Sequence, residues 1–190
     1  LGTFKRMVPH ANCIGEIGLD FSRQGVATKT IQERVFEEVL SAIQDRPRFI
    51  TLHSRGAETA VLEGLRRHGI KAAVFHWFSG PVKVLEDVLA EGHFVSINPA
   101  MLSSASGKRV ITASPRERIL VESDGPFTKV QDQVCRPTSV ALVYEALAAR
   151  WNVSIEEFIS CVERNFEMVM GKPHSTLPSE SAEADVPHPY

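Results

Sequence analysis

Five short apolar runs, each followed by a stretch of different periodicity, set the tightest limit on the fold. Cys13-Ile14-Gly15-Glu16-Ile17-Gly18-Leu19, Phe49-Ile50-Thr51-Leu52, Ala72-Ala73-Val74-Phe75, Phe94-Val95-Ser96-Ile97 and Ile119-Leu120-Val121 all read as strands. They are continuously apolar rather than alternating, which is the pattern of strands buried on both faces of a parallel sheet. Between them apolar residues recur three and four apart, as on one face of a helix. The expectation is an α/β fold of about five βα units.

The helical stretches carry their own punctuation. Ile31, Val35, Val39 and Ile43 fall four apart with Phe36 and Leu40 beside them, and Pro47 is expected to end that helix. A second helix is predicted from Ala57 to Arg67, with Ala57, Val61, Leu62 and Leu65 inward and Gly69 as a left-handed stop. Pro81 opens a third, carrying Val84, Leu85, Val88 and Leu89 and stopping at Gly92. A short helix is expected near Gly107–Thr112, and two more over Ser139–Arg150 and Ile155–Met170, the last with Ser154 and Glu157 as a capping box. His174–Tyr190 has three prolines, several serines and no periodicity, and reads as a disordered tail. The division is therefore one domain over residues 1–173 and a tail over 174–190.

Composition removes several classes of function. Lys plus Arg at 21 against Asp plus Glu at 23 leaves no global basic field, so any nucleic-acid contact must be local. No apolar run approaches the roughly 20 residues that span a bilayer. Cys13, Cys135 and Cys161 are an odd, widely spaced set that fits reduced thiols in the cytoplasm, each expected as a small buried hydrophobe.

The chemistry is expected where polar residues interrupt or follow the strands: Glu16, His53, His76 and Asp124. Each sits at or just past a strand's carboxyl end, where parallel α/β folds build their sites. Each also has an ordinary reading. Glu16 fits a solvated or salt-bridged edge strand, the histidines fit hydrogen-bonded loop residues, and Asp124 before Gly-Pro fits a turn. Together, two carboxylates and two imidazoles on successive units make a ligand set for a divalent ion.

Ile14-Gly15-Glu16-Ile17-Gly18-Leu19-Asp20, Leu52-His53-Ser54-Arg55, His76-Trp77-Phe78-Ser79-Gly80 and Val121-Glu122-Ser123-Asp124-Gly125-Pro126 resemble, in order and spacing, the signatures of the TatD family. The helix containing Asn165 and ending at Gly171 is similar to that family's closing helix. The resemblance implies a TIM-like (β/α) barrel and metal-dependent hydrolysis of phosphodiesters, usually of DNA. It implies that Glu16 bridges two ions, that His53 and His76 complete one site, and that Asp124 binds the other and takes a proton from the attacking water. Zn, Mn and Mg are the ions such a site would use. Arg55 and Ser79 become candidates for holding phosphate oxygens. Asp20 and Glu122 become candidates for orienting the metal ligands. Trp77 is placed either to stack on a base of a frayed end or in the core. The Asp-Gly-Pro-Phe form looks like the QatD branch, associated with anti-phage defence and hence with protein partners.

The sequence also departs from the family. No His-x-His pair appears, and His10 lies too close to Glu16 to supply it. Leu1 is not Met, and Leu1–Met7 looks like the end of a helix, so the sequence is expected to begin partway through a domain. About three βα units of an eight-unit barrel would precede it. On these residues at most one ion is expected to be well held, and the chain alone to be inactive. Thr128–Pro137 lacks the Gly and Asn pattern of TatD enzymes. Two alternatives stay open: a non-catalytic TatD-like scaffold within a defence complex, and the same metal site cleaving another ester or amide.

Overall fold

The computed structural model describes residues 1–45 and 48–171. Pro47 and the expected tail from His174 lie outside the described residues. A short helix α1 (Gly2–Met7) leads into strand β1 (Cys13–Gly18), and β2 (Phe49–His53), β3 (Val74–Phe75), β4 (Phe94–Ile97) and β5 (Ile119–Val121) follow. Helices α2 (Lys29–Ile43), α3 (Glu58–Arg67) and α4 (Val82–Ala90) make the first three crossovers, and α5 (Pro99–Ser103) with α6 (Ala105–Ala113) makes the fourth. The five strands pair in sequence order, all parallel, as the continuous apolar runs require. After β5 come a hairpin of β6 (Lys129–Val130) and β7 (Gln133–Val134), then α7 (Val140–Trp151) and α8 (Ile155–Val169).

The core lies between the sheet and its crossover helices. Leu52, Phe75, Val95, Ile97 and Ile119 from the strands meet Leu40, Leu62, Leu65 and Leu85 from the helices, all at 2 % exposure or less. The strands are less uniformly buried than their composition implies. In β2, Ile50 and Leu52 are buried while Phe49, Thr51 and His53 are only partly so. The reason is that the sheet is an open arc: among the described residues β1 and β5 each have one strand neighbour, and the barrel does not close. The inner face of the arc borders a cleft of about 640 Å³, lined by Phe49, Thr51, Val74 and Ser96 and, from α8, by Phe166.

Several expectations are corrected. Ile31 and Val35 are exposed, and the buried stripe of α2 is Phe36, Val39, Leu40 and Ile43. A four-residue step overshoots the helical turn by about 40°, so a run of such steps rotates off the core face. The third strand is two residues long rather than four, because Ala72 takes a left-handed backbone (φ 55°) ahead of it. Cys13, opening the edge strand β1, is exposed, whereas Cys135 and Cys161 are buried. The expected helix near Gly107 is preceded by a second one, α5, capped by the Asn98 side chain. At α8 the Ser154 hydroxyl accepts from the Glu157 N–H, but the Glu157 carboxylate reaches outward to Arg116 at 3.1 Å.

Candidate metal centre

Strand register brings the polar residues together. Leu52, Phe75 and Val95 are lateral partners across β2, β3 and β4 and point into the helix-covered core. The next residue on each strand therefore faces the other way, toward the inside of the arc. Those residues are His53, His76 and Ser96, all at one level. Two steps further along the same face come Asn98 and, from β5, Glu122.

Glu16 reaches this level by an irregularity. Ile14 pairs with Ile50 and Ile17 with Leu52, so β1 spends one residue more than β2 over the same length. In a regular ladder Glu16 would lie beside Leu52 and face the core; the extra residue re-aims it to the inner side. Gly18 completes the approach. It has φ 147°, and a Cβ there would overlap the carbonyl oxygen of His53, which instead accepts from the Leu19 N–H at 2.9 Å.

Glu16 Oε1 lies 2.8 Å from His53 Nδ1 and 3.1 Å from His76 Nε2. One ligand atom from each of the three residues falls within 4.8 Å of the others, a grouping able to hold a metal ion. The remaining nitrogen of each ring faces a carboxylate. His53 Nε2 stands 3.2 Å from Asp20 Oδ2, and His76 Nδ1 stands 3.4 Å from Glu122 Oε1. Carboxylates behind imidazoles fix the ring orientation and direct the opposite nitrogen toward a cation. The donor set therefore fits a divalent ion.

The two supporting carboxylates are themselves held. Asp20 accepts from the Ser22 N–H at 2.8 Å, and its main chain is pinned by Gln32, whose amide accepts from Asp20 N–H and donates to Asp20 C=O. Glu122 accepts from Ser96 Oγ at 2.6 Å, Asn98 Nδ2 at 3.2 Å and the Trp77 N–H at 3.2 Å. Burial pushes the Glu122 carboxyl up, but His76, Ser96 and Asn98 outweigh it and hold it below its ordinary range. Burial likewise opposes charge on His76, yet the Glu122 hydrogen bond and the carboxylates of Glu122, Glu16 and Asp124 raise its pKa. For Asp20 burial is offset by the Ser22 and His53 hydrogen bonds, and its pKa is lowered.

Asp124 is brought to the same cavity but not into the three-residue cluster. The cavity measures about 580 Å³ and is also lined by Arg55, Trp77, Ser79 and Phe127. Asp124 has a left-handed backbone (φ 46°). Its carboxyl is pushed up by burial, against the pull of His76, and further by Glu122 and Glu16. That excess of neighbouring negative charge is what a bound cation would relieve. Ser79 Oγ donates to the buried Glu58 at 3.4 Å, which also accepts from the Gly56 N–H at 3.3 Å. Glu58 thus ties the loop after β2 to the loop after β3.

Sequence reasoning passed over Ser96, Asn98, Glu58 and Gln32. Ser96 gave the same signal as Glu16, a polar residue inside an apolar run. Asn98 lies just past its strand, as His76 does. Glu58 and Gln32 sit in ordinary helical polar positions and carried no signal.

A family profile described as TatD related DNase matches residues 2–171. The chain belongs to this TatD family. It is similar to the human protein "Deoxyribonuclease TATDN3", 28% identical over 156 residues, covering 80% of this chain and 57% of the relative. It is also similar to "3'-5' ssDNA/RNA exonuclease TatD" of Pectobacterium carotovorum, 33% identical over 131 residues, covering 66% of this chain and 50% of the relative. The chain thus spans a little over half the length of the first and half of the second. The crystal structure of YJJV, a TatD homolog from Escherichia coli, superposes with a TM-score of 0.80 at 22% identity, covering 90% of this chain and 70% of the other. This TatD neighbour makes the open parallel arc TIM-barrel-like.

Proposed function

We propose that this chain carries the metal site of a divalent-metal-dependent phosphodiesterase that hydrolyses DNA from its ends. The observation that carries the reading is the convergence of Glu16, His53 and His76 within 4.8 Å, with a carboxylate behind each ring. The names of the human and Pectobacterium relatives support DNA as the substrate. Glu16, His53 and His76 would hold the ion, with Asp20 and Glu122 keeping the two imidazoles turned toward it. A divalent ion bound there supplies Lewis-acid polarisation of a phosphoryl oxygen and a water of lowered pKa. Asp124, across the same cavity, accepts the proton that the attacking water loses. Arg55 and Ser79, which line that cavity, hold phosphate oxygens.

One three-donor group is present among the described residues, so at most one ion is held tightly, of Zn, Mn or Mg type. A role in anti-phage defence, with protein partners, is supported by the Asp124-Gly125-Pro126-Phe127 form. A cytoplasmic setting is supported by the odd, widely spaced cysteines. Among the described residues no helix is long and apolar enough to cross a membrane.

The test is digestion of end-labelled single- and double-stranded DNA in Mg²⁺, Mn²⁺ or Zn²⁺, by the complete protein and by its Glu16→Ala variant. Metal-dependent cleavage that disappears in Glu16→Ala, with the melting curve kept, supports the reading. Cleavage retained in the variant removes Glu16 from the mechanism. A metal-loaded protein that cuts neither substrate turns the reading to the non-catalytic scaffold.

A further inference from the structure

Phe127 is 81% exposed, the largest exposure of any bulky apolar side chain among the described residues. An apolar ring so placed is out of keeping with a loop that is otherwise firmly held. The Phe127 N–H donates to the Asp124 carbonyl at 2.9 Å, and the Thr128 N–H donates to the same oxygen at 3.1 Å. The buried Thr128 hydroxyl donates to Ser123 C=O at 2.5 Å. Behind the loop, Gly125 packs so closely on the Cys135 carbonyl that no Cβ fits. The turn that carries Asp124 therefore presents the Phe127 ring from a fixed base.

Trp77 lines the same cavity, 37% exposed, from a left-handed backbone (φ 38°) that bulky residues seldom adopt. Its N–H is held by Glu122 Oε1 at 3.2 Å, the oxygen that also faces His76 Nδ1. Backbone in this region persists where surrounding contacts over-determine it, commonly at ligand sites. The cavity, about 580 Å³, is of small-ligand size and also holds Glu16, His53, His76 and Arg55.

We propose that Trp77 and Phe127 form an aromatic clamp that stacks on the unpaired terminal base of a DNA strand and so seats the neighbouring phosphate at the Glu16–His53–His76 cluster. This deepens the nuclease reading and rests on it. Aromatic stacking tolerates any base, because every base offers a π-face, but it needs a base not already stacked in a duplex. The clamp therefore makes the site selective for single-stranded ends without making it selective for sequence. Phe127 is a positioning residue here, since it touches the base and not the reacting phosphate.

The experiment is fluorescence anisotropy with a dye-labelled, phosphorothioate-linked single-stranded oligonucleotide in Mg²⁺. A matched oligonucleotide carries abasic nucleotides at both ends, and a blunt duplex serves as the third probe. Phe127→Ala is expected to weaken single-strand binding about 5- to 150-fold, the range that base–aromatic stacking converts to. Phe127→Tyr should keep it. Abasic ends should weaken the unmodified protein by a similar factor and add little to the loss in Phe127→Ala. The abasic comparison needs no variant, so a folding defect cannot mimic the result. Equal affinity of Phe127→Ala, or of the abasic oligonucleotide, with single-strand binding intact overturns the clamp and leaves the nuclease reading standing. A chain that binds none of the three probes overturns both.

Discussion

Glu122 concentrates more of the site than any of the proposed metal ligands. Its two oxygens are shared among His76, the Trp77 N–H, Ser96 and Asn98, so one carboxylate orients a ligand and fixes an unusual backbone together. Glu122→Gln keeps the shape and removes the charge. Metal affinity by titration calorimetry should fall about 10- to 100-fold, the usual loss when a partner behind a ligand is changed, with the fold retained. An unchanged affinity would show that His76 needs no such support. His93 is a second buried residue with a measurable consequence. Its Nδ1 accepts from the Ala73 N–H at 3.2 Å, and burial, only partly countered by Glu91, pushes its pKa down to about 4. Unfolded, the ring binds a proton at about the ordinary imidazole value of 6.5; folded, it stays neutral down to about 4. Stability is therefore full above about pH 6.5 and falls as pH drops toward 4, by up to roughly 3 kcal/mol. Urea midpoints across that window should slope downward toward acid, and His93→Asn should flatten the slope. The proposed ligands were legible because a carboxylate or imidazole in an apolar run stands out. Glu58 and Gln32 were not, since only tertiary contacts distinguish them from solvated helix residues.

Secondary elements were legible to the extent that burial on both faces wrote itself into composition. Strands β2, β4 and β5 and helices α3, α4, α7 and α8 follow the apolar pattern within a residue or two. The hairpin β6–β7 does not, because its strands are two residues long, Lys129-Val130 and Gln133-Val134, too short to show a periodicity. Its turn uses left-handed Gln131 and Asp132 (φ 47° and 62°), where Asn-Gly would have announced it. The bulge in β1 is likewise invisible without its partner strand, yet it decides which way Glu16 points. Helix α8 packs on the sheet through Phe158, Val162 and Val169 and is also hydrogen-bonded to it. Asn165, 1% exposed, donates to Arg116 C=O at 2.8 Å and Ile119 C=O at 2.7 Å. Asn165→Ala leaves two carbonyls without that donor and should cost about 1–3 kcal/mol, read as a lower urea midpoint at constant slope. Because the contact lies at the start of β5, away from the strand tips, metal affinity should stay unchanged. A loss of metal binding at constant stability would contradict this division.

At the scale of the molecule, the proposed ion site and the open sheet are coupled. Strand order puts β1 at an edge, with β2 alone beside it among the described residues, and Glu16 on β1 is 44% exposed at its side chain. A cation held by Glu16, His53 and His76 would link β1, β2 and β3 at their tips, adding a cross-connection at the edge of the sheet. Binding to the folded state alone stabilises by about 2.7 kcal/mol when free ion reaches about 100 times Kd. For a chain of this size that is a rise in melting temperature of about 5–10 °C. The gain should be uneven. Amide exchange should slow most over Ile14–Leu19 and least over β5, whose own edge lies at the far side of the sheet. Calorimetry should count at most one tightly held ion per chain, and Glu16→Ala should abolish both the thermal shift and the local protection. Two tight ions per chain, or protection spread evenly across all five strands, would break the link between edge strand and metal. The same edge would then rest on its ladder to β2 and on Ile14, the one buried side chain of β1.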